Sequence, residues 1–219
     1  MSPEIVFSSS NDSSSVSVRI YGSSLGEVPG YITLSNGDYL IANLEGVQKE
    51  LEQNPIEDTI YLANYNFNAE NQNLTLSLIR NGNVDAPNST VVMPARFNIN
   101  TPNPDDVYMN GEDITVTWSP AITGTTASIS IYGLCAGIPP NTFGVDYYYE
   151  RNVPDNGSFT APVIDILDVN GEYNTMDTDT NCSARLIVER IKIGSLDSNY
   201  RGGSIIAKQI VRLDFFLDP

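Results

Sequence analysis

The stretches Ala127-Ser128-Ile129-Ser130-Ile131-Tyr132-Gly133-Leu134-Cys135 and Cys182-Ser183-Ala184-Arg185-Leu186-Ile187-Val188 decide the fold. In the first, odd positions are apolar or small and even positions mostly polar as far as Tyr132. In the second, the even positions are the apolar ones. A period of two belongs to a half-buried strand, because successive side chains point to opposite faces. Cys135 and Cys182 are the only cysteines, and both fall on the apolar side. Their phase predicts one buried disulfide inside a β-sandwich. Closing a loop of about 48 residues would stabilise that half of the chain by roughly 4 kcal/mol through chain entropy.

The same alternation extends outward in both directions. Val16, Val18 and Ile20 form one run; Leu40, Ala42 and Leu44 follow the turn Asn36-Gly37-Asp38. Tyr61, Ala63, Tyr65 and Phe67 make another, and Leu74, Leu76 and Leu78 the next. Segment 47–53 carries Val47 and Leu51 at helical spacing, but Glu45-Gly46 before it favours a hairpin, so a strand is expected. Residues 8–15 are Ser-Ser-Ser-Asn-Asp-Ser-Ser-Ser, read as a tether or a loop after a first strand near Ile5 and Phe7. Residues 81–95, with Pro87 and Pro94, read as a hinge. Beyond it the pattern restarts with Ile114, Val116 and Trp118 and ends with Ala207, Val211, Leu213, Phe215 and Leu217. The expectation is an all-β chain of two tandem β-sandwich domains, 1–95 and 96–219, with no amphipathic helix of ten residues.

Composition narrows the chemistry. The chain has 219 residues, 41% of them hydrophobic, and 27 acids against 11 bases give a net charge of -16. Such a surface repels nucleic acid and anionic lipid, so neither is an expected partner. Histidine is absent. Catalysis by Ser-His-Asp or Cys-His, and zinc held by histidine, are therefore excluded. No run approaches the ~20 apolar residues of a membrane helix. Met1-Ser2-Pro3-Glu4 lacks the basic start and apolar core of a signal peptide. With the cysteine phase, this suggests a mature form of an exported protein, in periplasm or on the cell surface, lipid-anchored before truncation if membrane-attached at all.

The stretch Asp85-Ala86-Pro87-Asn88-Ser89-Thr90-Val91-Val92-Met93-Pro94-Ala95-Arg96-Phe97 resembles the interdomain segment of uncharacterised exported proteins of Gram-negative bacteria, often lipid-anchored. In that group it runs into an Ig/fibronectin III-like second domain opening with an Ile-Thr-Val-Thr-Trp strand, here Ile114-Thr115-Val116-Thr117-Trp118. The turn Pro154-Asp155-Asn156-Gly157-Ser158-Phe159 is similar to turns of the same modules. The resemblance covers residues 37–120 and implies an Ig-like second domain and an extracytoplasmic location. It carries no functional residues across, and no lipobox cysteine is present.

Candidate ligand-binding residues follow from phase. In Tyr147-Tyr148-Tyr149, Tyr148 is in step with Asp146 and Glu150 and should face solvent, where an aromatic between acids suits a glycan or a protein partner. Trp118 shares a face with Ile114 and Val116 and is expected in the core. Calcium is the one cofactor for which ligands are offered. Asp177, Asp179 and Asn181 alternate as in calcium loops, although Cys182 and Val188 replace the glycine and glutamate of the full motif. Asp105, Asp106, Glu112 and Asp113 form a second group of acids. Solvated loop acids are the simpler reading of both. The function expected is a non-catalytic structural, adhesion or binding module. A carbohydrate-binding module is the alternative, and a carboxylate-dependent glycan hydrolase a more distant one.

Overall fold

A computed structural model describes residues 1–22, 30–138, 144–168, 171 and 173–219. Pro29, which with Gly30 reads as a turn in the sequence, lies outside them. The chain is almost entirely β. The strands are β1 (Ser2–Ser10), β2 (Ser13–Gly22), β3 (Gly30–Tyr31), β4 (Tyr39–Leu44), β5 (Val47–Glu50), β6 (Glu52–Gln53), β7 (Ile60–Tyr65), β8 (Asn73–Ile79) and β9 (Ala86–Val92). They continue as β10 (Asn98–Thr101), β11 (Val107–Met109), β12 (Asp113–Ser119), β13 (Thr126–Cys135), β14 (Val145–Pro154), β15 (Ser158–Pro162), β16 (Cys182–Ile193) and β17 (Ser204–Asp218). Helix α1 (Val163–Leu167) has five residues.

Two compact units result, Met1–Ala95 with Ile191–Gln209, and Arg96–Arg190 with Ile210–Pro219. One boundary between the units lies between Ala95 and Arg96. The segment Ile191–Gln209, assigned above to the second domain, belongs to the first unit. The reason is pairing: residues 204–209 lie parallel to β1, with Ile205 opposite Ile5 and Ala207 opposite Phe7.

The first unit packs two sheets around one core. One sheet runs from 204–209 through β1, β2 and β7 to β6, with β3 beside β2; the other has the order β5-β4-β8-β9. Phe7, Val16, Val18, Leu40, Leu44, Tyr65, Leu74 and Leu76 meet between them. Strand β5 follows a two-residue turn in which Glu45 and Gly46 have φ of 48° and 89°. Two positive φ values match the right-handed twist of the flanking strands. Segment 47–50 is thus a strand, and Leu51 is buried at its end.

Two readings change here. Residues 8–15 are neither tether nor loop: they are the closed end of the β1–β2 hairpin, with Ser8 opposite Ser15 and Ser9 opposite Ser14. Asn11 makes the turn at φ 49°, a conformation asparagine tolerates. The inward serines replace apolar burial with hydrogen bonds. Ser9 Oγ lies 2.9 Å from Ser14 Oγ, which donates to the Phe67 carbonyl at 2.8 Å and accepts from Ala69 N–H. Segment 81–95 is also not a free hinge. It contains β9, an edge strand, where Pro87 removes no interior ladder bond.

The second unit repeats the two-layer plan. One sheet has the order β14-β13-β16-β17 with β11 on the far side of β17, and the other the order β10-β12-β15. Ile114, Val116, Trp118, Ile129, Ile131, Tyr147, Leu186, Val188 and Phe215 fill the space between. Cys135 and Cys182 form a disulfide, both fully buried. It joins β13 to β16, neighbours in one sheet, rather than pinning one layer to the other as in antibody domains.

Candidate functional site

Strand β14 divides its tyrosines by alternation. Tyr147 and Tyr149 turn into the core, and Tyr148 points out at 53% exposure, with Asp146 and Glu150 exposed beside it. The Tyr148 hydroxyl donates to Glu150 Oε2 at 2.7 Å, and this bond holds the phenol pKa above its ordinary value. Glu150 Oε1 accepts from Ser128 Oγ at 3.3 Å. Asp146 and Glu150 are four strand residues apart, about 13 Å along the backbone. Across the ladder Tyr148 faces Tyr132 of β13, their ring centroids 6.4 Å apart.

The same face continues over β16 and β17. Arg185 forms a forked pair with Asp214, Nε to Oδ1 at 2.6 Å and Nη2 to Oδ2 at 3.0 Å. Each partner keeps the other ionised: the carboxylate raises the Arg185 pKa and the guanidinium lowers that of Asp214. The pair lies in a hollow of about 390 Å³ also lined by Tyr132, Gly133, Ser183 and Phe216. Leu134 and Phe216 are exposed on this face, and Val107 of β11 stands opposite Phe216. Gly133 is required where it is. A Cβ there would sit 1.7 Å from the Ser183 carbonyl oxygen, which accepts the buried Tyr147 hydroxyl at 2.7 Å.

A buried charge network supports the opposite, inward side. Arg190 is 1% exposed and continues the buried series Cys182, Ala184, Leu186 and Val188. Its Nε donates to Asp155 Oδ2 at 2.5 Å, its Nη2 donates to the Pro120 carbonyl, and its guanidinium carbon lies 4.7 Å from the Phe97 ring centre. Asp155 also accepts from Trp118 Nε1 at 2.6 Å and Thr125 Oγ1 at 2.8 Å. Burial pushes the Asp155 pKa up, but the bonds from Arg190, Trp118 and Thr125 and the Arg190 charge outweigh it, so the carboxyl titrates below its ordinary range. Trp118 is a core residue with its one polar atom satisfied. By sequence Asp155 is a turn residue beside Asn156-Gly157. The available signal was Arg190, a charge in phase with an apolar face.

The calcium candidates Asp177, Asp179 and Asn181 lie in a loop, and Asp113 of the second group opens β12. Asp177 Oδ1 accepts the Asp179 N–H at 3.0 Å, and Asp179 and Asn181 are exposed. Asp106 Oδ2 accepts from Asn103, and Glu112 Oε2 accepts the Met109 N–H. Among the described residues, no three Asp, Glu, Cys or His side chains converge as a metal set.

No family model matches the chain, and no curated protein matches it. Among solved structures, it is similar to the Yersinia pseudotuberculosis adhesin InvE at 11% identity and a TM-score of 0.25, over 97% of this chain and 58% of the adhesin. It is also similar to a DUF3823 family protein from Parabacteroides merdae at 12% identity and a TM-score of 0.23, over 97% and 98%. Likenesses at these scores do not bear on function.

Proposed function

We propose that the chain is a non-catalytic extracytoplasmic module, structural or adhesive, with an Ig-like second unit whose contact surface is the outer face led by Tyr148. The observation that carries this reading is Tyr148 itself. It is half exposed, ranked against Tyr132, and set on a sheet whose other face is a packed, disulfide-linked core. Exposed tyrosines on a rigid support are favourable anchors for a partner, since little side-chain freedom is lost on contact. The disulfide supports an oxidising compartment.

Hydrolysis fits the same face poorly. Asp146 and Glu150 stand about 13 Å apart along the strand, beyond the roughly 5–9.5 Å used by glycosidase carboxylates. Glu150 already accepts from Tyr148 and Ser128.

The reading is tested by fractionating the native host and alkylating thiols before and after reduction. Recovery outside the cytoplasm, with alkylation only after reduction, is expected. A cytosolic protein with two free thiols would overturn the location. The face is tested by retention of labelled protein on host cells, which Tyr148→Ala should reduce. Equal retention of wild type and variant would remove Tyr148 from the contact surface.

A further inference from the structure

Resting on the Tyr148 face as the contact surface, we propose that its ligand is a neutral glycan, seated in the hollow between Tyr132 and Phe216 above the Arg185–Asp214 pair. The shape and the chemistry point the same way. Tyr148, Tyr132, Arg185 and Phe216 come from four successive strands, β14, β13, β16 and β17. They form a track about 14 Å long, three inter-strand spacings. Tyr132 and Phe216 offer apolar ring surface, with Phe216 36% exposed. A pyranose presents a C–H face to such rings and a rim of hydroxyls to polar neighbours.

The polar floor suits hydroxyls rather than ions. Arg185 and Asp214 are both exposed, with side-chain accessibilities of 49% and 65%, so a ligand can reach them. Of the five guanidinium N–H groups, two donate to Asp214, and Tyr132 lines the same hollow. The remainder can donate to sugar oxygens, and the Asp214 lone pairs can accept sugar hydroxyls. Donor and acceptor lie side by side in this pair, so one sugar hydroxyl can accept from Arg185 while its neighbour donates to Asp214. Its charges cancel each other, so a charged ligand would have to break the fork. An anionic ligand, or a second copy of this chain, would also meet a protein of net charge -16.

The test is a titration of isotope-labelled protein by amide NMR. The probes are hexasaccharides of glucose, mannose, galactose and N-acetylglucosamine, with trigalacturonate as the anionic comparison. A neutral hexasaccharide is expected to shift the amides of residues 132–134, 183–185 and 214–216 in a saturable way. Phe216→Ala should weaken that binding about tenfold, the loss of one ring contact. Arg185→Lys, which keeps the charge and loses the fork, should also weaken it. No shift with any neutral sugar, preference for trigalacturonate, or undiminished binding by Phe216→Ala in a folded protein would each overturn the proposal. Cell retention that depends on Tyr148 but persists without any sugar binding would sink the glycan and leave the contact face standing. Retention that ignores Tyr148 would sink the face itself.

Discussion

Deleting the Asp155 carboxylate should cost this protein more than deleting any surface acid. In Asp155→Ala the Arg190 guanidinium stays buried at 1% exposure without its carboxylate, and Trp118 N–H loses its acceptor, while the Thr125 hydroxyl retains the Ile122 carbonyl. Removing one partner of a buried pair costs about 3–5 kcal/mol, because the surviving charge remains out of water. Arg190 keeps the Pro120 carbonyl and the Phe97 ring, which places the expectation near the lower end, about 3 kcal/mol. Against a typical domain stability of about 5–15 kcal/mol that is a large share. The assay is urea unfolding followed by tryptophan fluorescence. Trp118 is the only tryptophan and bonds directly to Asp155, so the signal reports on the perturbed site. Arg190→Met should be comparably destabilising. The double variant should lose well under the sum of the singles, since a buried pair replaced on both sides leaves no orphan charge. Asp155→Ala within about 1 kcal/mol of wild type, or strictly additive single variants, would refute the account.

The other expectations concern acid, sulfur and backbone. The folded Asp155 pKa lies below its unfolded value of about 3.9, so its contribution is complete above that value and is lost as pH falls through the folded pKa. The fluorescence-detected urea midpoint should therefore drop below about pH 4, and Asp155→Asn should flatten that drop; an unchanged slope would place the acid sensitivity elsewhere. Replacing Cys135 and Cys182 together with alanine should cost about 4 kcal/mol, read from the same midpoint, because their separation of 47 residues sets a long loop. Gly133→Ala should cost at least about 3 kcal/mol by overpacking, since the new Cβ meets a backbone carbonyl; circular dichroism melts would expose an error if the variant melted like wild type. Gly46→Ala meets no atom within 4 Å, so only its φ of 89° should count, about 1–2 kcal/mol.

Alternation made most of the architecture legible. Val16 to Ile20, Leu40 to Leu44, Leu74 to Leu78 and Ile114 to Trp118 all bury the face their period assigns. The same logic placed Cys135 and Cys182 inside and Tyr148 outside. It fails where side chains are small and polar. The serines of 8–15 alternate in burial as regularly as any apolar run, yet they bury hydroxyls held by hydrogen bonds, and composition alone reads them as linker.

Period also reports a face and never a neighbour. Cys135 and Cys182 could be placed in the interior from sequence, but whether their strands lie in one layer or in opposite layers depends on sheet order, which local pattern does not encode. For the same reason 204–209 gave no sign of leaving the C-terminal half to pair with β1. Arg190 shows what a stricter use of the rule would have found. A charge on an apolar face must either interrupt the strand or have a buried counter-charge, because an unpaired guanidinium in a core is too costly to persist. The strand does not stop at Arg190, so a partner was required, and Asp155 beside Asn156-Gly157 was an acid at a fixed turn. The outer face differs because Arg185 and Asp214 each sit where a charge is unremarkable. Their meeting with Tyr132 and Phe216 depends on the lateral order of three strands and becomes a site only once those strands are side by side.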